Sequence, residues 1–518
     1  MLIFLPVFLM FATALVLALL RITRSRFKYP WMLAATGAIV SLLSVFLWLI
    51  HFPQTITLPP WQPVTLFLSA PTWLADGTSW PYALALAALA AAVIWTSVVR
   101  SENGPETWAG TLVLAALGIL AVAADNPLTL VLTWSVIDLV ELVIMLRSTE
   151  GEAQNEGVAI AFAARLAGTG LVIWADLIGT ARGIPLDFRS TPSYLGIFLL
   201  IAAGLRLGVL PLHLPYRKEN VVRRGFGSTL RLVSAAASLS LLAHIPASGL
   251  KSPLTPYLLV LAAVTALYSG WMWLRASDEV LGRPFWVLGL ASLAVADSLR
   301  GNPAGSIGWG VALILTGGLL FLFSARRRSI LWLPFLGTWA LSSLPFSPTA
   351  SAWQAGNNLS WLYIIPLLPA QALLISGYLR HTLHPGETSL ESQEKWVKAI
   401  YPIGLLILVG MAGLLGFMGW DGARTIGVWW LAVVVILLVV VFMILAVRFL
   451  TRLPPGSTPS QWTRLFGIQW LYGFLNSIYV FFLRLLEVLT GSLEGDGGLL
   501  WSFVLLVLIL SILSTLGK

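Results

Sequence analysis

The chain has 518 residues, of which 58% are hydrophobic and only 10% are charged, with 31 basic and 22 acidic side chains. A soluble globular protein carries about a quarter charged residues, so several soluble domains cannot be clothed from this stock, and a soluble enzyme, a nucleic-acid binder and a disordered scaffold are excluded. Apolar runs of about 20 residues recur from end to end, the signature of an all-α polytopic membrane protein. The absence of cysteine removes disulfides, Fe–S clusters and thiolate metal sites. The five histidines (His51, His213, His244, His381, His384) show no metal-ligand spacing, so no metal is expected.

In chain order, apolar periodicity and Pro/Gly punctuation predict helices over 1–20, 31–51, 82–100, 108–124, 127–147, 157–180, 193–212, 228–247, 254–274, 283–299, 307–324, 330–346, 358–380, 399–420, 425–449, 463–489 and 498–516. Arg21, Arg24, Arg26 and Lys28 follow the first of these and no basic segment precedes it. That marks a first spanning helix with an outside N-terminus, not a cleaved leader. Counted by loop, 21 of the basic residues fall on one side of the membrane and 5 on the other, in strict alternation. The asymmetry supports about 16–17 spans and the same orientation. Segment 463–489 holds Arg464, Asn476, Arg484 and Glu487 among aromatics, and reads either as a span or as an interfacial helix.

Charge inside a spanning helix costs several kcal/mol unless it is paired or hydrated, so each such residue is a functional candidate. Helix 127–147 carries Asp138 and Glu141, an i,i+3 pair on one face. Arg165, Arg206 and Arg231 lie on the next three helices, with His244 at the end of the last. The signs complement one another. Two readings fit: ion pairs that fix helix packing, or a polar file for protons or other ions. Past Arg206, Pro211 and Pro215 straddle His213, a pattern that breaks a helix at membrane depth. Pro345 and Pro348, preceded by Ser342 and Ser343, break a second one. Two interrupted helices in separate halves point to inverted repeats around an ion path.

Four stretches carry a family resemblance: Asp76-Gly-Thr-Ser79-Trp-Pro81, Asn126-Pro-Leu through Trp134, Arg206 to Pro215 followed by Ser228-Thr-Leu-Arg231-Leu-Val-Ser234, and Ser342-Ser-Leu-Pro-Phe-Ser-Pro348. In this order they resemble the antiporter-like, proton-conducting subunits of respiratory complex I, multisubunit cation/proton antiporters and membrane-bound hydrogenases. The resemblance implies two inverted five-helix repeats, here at 108–247 and 254–380, after N-terminal helices within 1–107 and before C-terminal helices within 399–518. It also implies other membrane subunits as partners, protons or Na⁺ as the translocated ion, and a bacterial or archaeal plasma membrane as the location. No cofactor motif appears and no nucleic-acid partner is expected.

The departures are informative. The family's carboxylate directly after the Trp is Ser135 here, with Asp138 and Glu141 one and two turns further. The family's lysine ahead of the first break is Arg206, and arginine does not give up its proton as a buried lysine can. Across 254–380, only Asp297, near a helix end, stands out as ionisable within a helix. The expectation is therefore a membrane-arm subunit of a complex I-like ion pump. Either protons pass along a path at Asp138 and Glu141, with Arg206 as the fixed countercharge, Arg165 and Arg231 beside it, and His213, His244 and water as relays, or the fold is kept as a scaffold without a complete path. A third reading, an unrelated membrane enzyme or transporter, would draw on loop carboxylates such as Asp187, Glu219 and Glu387, Glu391 and Glu394. His381, His384 and the basic residues Arg217, Lys218, Arg223 and Arg224 read as a surface facing anionic lipid or a partner.

Overall fold

The computed structural model describes residues 2–23, 29–60, 69–99, 104–148, 152–183, 186–214, 224–354, 364–420 and 427–449, with Ser477, Val480 and Arg484. Two compact units are distinguished, Met1–Ser457 and Thr458–Lys518. In the second, only those last three residues are described, all helical. The rest of the expected helices 463–489 and 498–516 lies outside the described residues, as does Pro215.

The first unit is built from α1 (Phe4–Ile22), α2 (Pro30–Phe46), α3 (Ser79–Thr96), α4 (Pro105–Val122), α5 (Pro127–Ser148), α6 (Glu152–Ala181), α7 (Ser193–Leu207), α8 (Arg224–His244), α9 (Thr255–Arg275), α10 (Glu279–Leu299), α11 (Pro303–Leu322), α12 (Trp332–Ala340), α13 (Leu367–Leu383), α14 (Lys395–Met418) and α15 (Trp429–Phe449). Among the described residues, twelve helices are long and apolar enough to cross a membrane, and α7, α12 and α13 are shorter. The chain is an all-α integral membrane protein. Local sequence sets the helix starts. Proline opens α2, α4, α5 and α11, where its missing N–H costs nothing. Asp278 caps α10 by accepting from the amides of Val280 and Leu281.

Helices α3, α8 and α11 are buried along nearly their whole length and form the centre. Each is rich in Ala, Gly or Ser, which lets backbones approach closely where lipid supplies no hydrophobic drive. Around them, α4 packs on α8 and α1, α14 on α3, α9 on α10 and α13, and α5–α6–α7 form a file beside α8. Two short ribbons were not anticipated. Strand β1 (Gln54–Thr57) pairs antiparallel with β2 (Thr72–Ala75), and β3 (Ala325–Arg326) pairs parallel with β4 (Thr388–Ser389). The first delivers Asp76 to the start of α3.

Both expected breaks are present. Helix α7 ends at Leu207, and Gly208 turns the chain at φ +79. The amides of Val209 and His213 then reach back to the carbonyls of Gly204 and Gly208. Pro211 lies past the end of the helix, so the glycine ends α7 and the proline keeps it from resuming. Helix α12 ends at Ala340, six residues short of the expected 346, and Pro345 and Pro348 lie in a non-helical stretch where Ser343 and Phe346 have positive φ.

Candidate functional site: a buried arginine–carboxylate pentad

The five charges singled out on α5 to α8 meet in one place. Asp138, Glu141, Arg165, Arg206 and Arg231 are all buried. Arg206 binds Asp138 end-on, Nη1 to Oδ2 at 2.5 Å and Nη2 to Oδ1 at 2.8 Å. This is the fork geometry that guanidinium and carboxylate share. The two oxygens of Glu141 are divided: Arg165 donates to Oε2, and Arg231 Nη1 donates to Oε1 at 2.8 Å. Arg165 Nη1 also lies 3.6 Å from Asp138 Oδ1 and joins the two halves. Among the described residues the cluster thus joins three guanidiniums and two carboxylates.

Neutral groups complete the site. Arg206 donates from Nε to Ser238 Oγ at 3.3 Å, and from Nη1 to Thr169 Oγ1 at 3.2 Å and to the Arg165 carbonyl at 3.4 Å. Its guanidinium lies over the Trp134 ring, 4.1 Å from the centroid, while Trp134 Nε1 donates to the Ala237 carbonyl at 3.2 Å. The stem of Arg206 passes Gly168 on α6. A Cβ there would stand 2.8 Å from both Arg206 Cγ and the Ala202 carbonyl oxygen, so only glycine admits α7 at this distance. Thr169, Ser238, Trp134 and Gly168 were not singled out in the sequence.

The two histidines stand apart from these bonds. His213 is buried in the break after α7, its Nδ1 2.9 Å from the Pro211 carbonyl oxygen and its Nε2 without a hydrogen-bond partner among the described residues. His244 ends α8, three turns and more beyond Arg231. Neither makes a hydrogen bond to the pentad among the described residues.

Several readings from the sequence need correction. Arg224 is no surface residue: it is buried, donating to Glu279 at 2.5 Å and to Glu387 at 2.7 Å. Arg326 also donates to Glu279, at 3.1 Å. Glu387 is thus a fixed partner of Arg224 rather than a free loop charge. His381 is buried, 4.3 Å ring to ring from Trp273, with Nε2 3.0 Å from that residue's carbonyl oxygen. The second half is not bare of buried charge either. Arg283 on α10 is fully buried against Ser228 and the Phe321 ring, and Asp297 accepts from Arg300 at 2.7 Å and from Trp309 at 3.0 Å. Arg283 and Arg300 lie near helix ends, where sequence alone counts them with the loops, whereas Asp297 was expected within its helix. Among the described residues, no group of three or more His, Asp or Glu is placed to hold a metal ion.

No protein-family model matches the sequence, and no curated protein does. Solved structures do match the fold. A chain of the Mrp complex from Dietzia sp. DQ12-45-1b superposes with a TM-score of 0.74 at 16% identity, covering 100% of this chain and 63% of that one. A chain of the membrane-bound sulfane sulfur reductase, an archaeal respiratory membrane complex, gives 0.66 at 13% identity, over 98% of this chain and 99% of its own. A chain of respiratory complex I from Thermus thermophilus gives 0.61 at 17%, over 85% and 100%. This chain therefore spans less than two thirds of the Mrp chain that it matches. At these identities the likeness is one of fold, and the fold is that of the antiporter-like subunits of membrane complexes.

Proposed function

We propose that the chain is an antiporter-like membrane subunit of a multisubunit, complex I-like or related ion-translocating assembly, and that its pentad is a fixed clamp between α5, α6, α7 and α8. The observation behind this reading is saturation. Every oxygen of Asp138 and Glu141 accepts from a guanidinium. A carboxylate carries a proton on an oxygen lone pair, and arginine does not release its own. With each of the four oxygens held by a guanidinium, passing a proton through either carboxylate would mean breaking up these buried pairs. The partners are other membrane subunits and the surrounding lipid, and redox chemistry belongs to those other subunits.

Proton translocation through this chain is the second reading. It draws on His213, a buried titratable side chain with one ring nitrogen open, placed in the break after α7. Proton-pumping measurements on the intact assembly in vesicles decide between the two. With Asp138→Asn or Glu141→Gln, the clamp predicts a lower yield of assembled complex, because an arginine loses its counter-charge. The complex that does assemble keeps its pumped charge per turnover. Assembly at the normal yield with that ratio lost would overturn the clamp in favour of translocation.

A further inference from the structure

A second charged cluster lies at the end of the bundle where α3 begins, about 20 Å along α8 from Arg231 by helix rise. Asp76 accepts from the amides of Thr78 and Ser79 at 3.0 and 2.9 Å, from the Thr78 hydroxyl at 2.9 Å, and from Arg189 Nη2 at 2.5 Å. Arg189 Nε stands 3.7 Å from Asp125 Oδ1, and Asp187 accepts from the Arg189 amide at 3.1 Å. Asp125 Oδ1 is buried without a hydrogen-bond partner among the described residues.

His244 faces this cluster from inside the bundle. Its side chain is 3% exposed, and Nε2 lies 4.0 Å from Asp76 Oδ1 with no hydrogen-bond partner among the described residues. Nδ1 is 2.7 Å from the Ser240 carbonyl oxygen, so this nitrogen carries the ring proton. In the neutral ring, Nε2 then turns a lone pair toward carboxylate oxygens, an acceptor facing acceptors. One more proton makes it a charge-assisted donor. A cavity of about 490 Å³ borders the site, lined by Asp76, Thr78, Arg189, Ala243, Asn302 and Gln354.

We propose that His244, with Asp76 and Asp125, forms a proton-binding site at this end of the bundle, in which one proton taken up at Nε2 ties the end of α8 to the segments bearing the two carboxylates. The charged groups around it are Asp76, Asp125, Asp187 and Arg189. Among the described residues, these are three carboxylates and one guanidinium. The nearby Asp297–Arg300 pair of α10 is closed on itself at 2.7 Å.

The carboxylates outside the spans agree with this arrangement. Burial pushes Asp125 upward, Asp187 and Asp76 add to that, and Arg189 and His244 offset it only in part. Asp76 is also pushed up by burial, but His244, the Ser79 amide, Thr78 and Arg189 together hold it below the usual range. A carboxyl raised in the fold binds protons more readily folded than unfolded. The burial cost of ionised Asp125 therefore eases as pH falls through its raised value, whereas its attraction to a protonated His244 is present only while it is ionised.

The site lies apart from the pentad, and its test does not depend on how the pentad works. Hydrogen exchange in the intact assembly, corrected for the intrinsic pH dependence, is followed over 72–79 and 186–191 between about pH 5.5 and 8.5, the range in which imidazoles titrate. The expected result is protection several-fold greater at the acid end in the wild type, no such change in His244→Gln, and a transition moved to lower pH in Asp125→Asn. A flat wild-type profile overturns the proposal, as does a His244→Gln variant that keeps the transition. Should His244→Gln not assemble, the Asp125→Asn shift decides, and its absence overturns the proposal.

Discussion

Arg206 makes five hydrogen bonds with one guanidinium and lies over an indole ring, so its position is set from α5, α6 and α8 at once. Lysine could not reproduce this. Its single ammonium would leave either Asp138 or the Ser238 and Thr169 hydroxyls without a donor. Removing one partner of a buried pair strands the other, at a cost of about 3–5 kcal/mol. Arg206→Leu alone should therefore lower the thermal unfolding midpoint of the assembly sharply, whereas Asp138→Asn with Arg206→Leu should recover part of the loss. A double-mutant cycle should return a coupling of roughly 1–3 kcal/mol. Recovery stays incomplete because Arg165, 3.6 Å from Asp138, also loses a carboxylate. Strict additivity of the two changes would contradict the direct pairing.

At the scale of elements, the second break shows how a membrane protein interrupts a helix without orphaned backbone groups. Gln371 on α13 donates to the Leu341 carbonyl at 2.8 Å and to Ser343 Oγ at 3.0 Å, and accepts from Trp353 Nε1 at 3.1 Å. Thr349 Oγ1 donates to the Ala340 carbonyl at 2.9 Å and accepts from the Ser343 amide at 3.0 Å. Gln371→Leu leaves buried groups unpaired at about 1–3 kcal/mol each. It should raise hydrogen exchange across 341–354 well above that of α11, and unchanged exchange would show that the break holds itself. The prolines that announce this break were legible in the sequence, and so were the five pentad charges, because charge at membrane depth is too costly to be incidental. Gln371, Thr169 and Ser238 were not. A neutral polar side chain in a spanning helix can bond its own preceding turn, as Thr133 and Ser269 do, so its presence carries no signal. Glu279 was passed over and Arg224 placed on a surface for another reason. They open helices, where sequence cannot separate a solvated charge from one buried by a neighbouring element.

Over the whole molecule, basic residues divide 21 to 5 between the two sides by sequence, although Arg224 and Arg283 on the richer side and Arg300 on the poorer are buried. The bias survives their removal, so the orientation can be tested directly. With no native cysteine, single cysteines report topology without background. Ser190→Cys should react with an impermeant maleimide from outside sealed vesicles of native orientation, and Glu391→Cys only after permeabilisation. The opposite pattern would reverse the assignment. The pentad has one further consequence at this scale. As the clamp we propose, with a guanidinium on every oxygen of Asp138 and Glu141, the pentad would offer a metal cation no bare carboxylate between α5, α6, α7 and α8, and so would insulate this part of the bundle electrically.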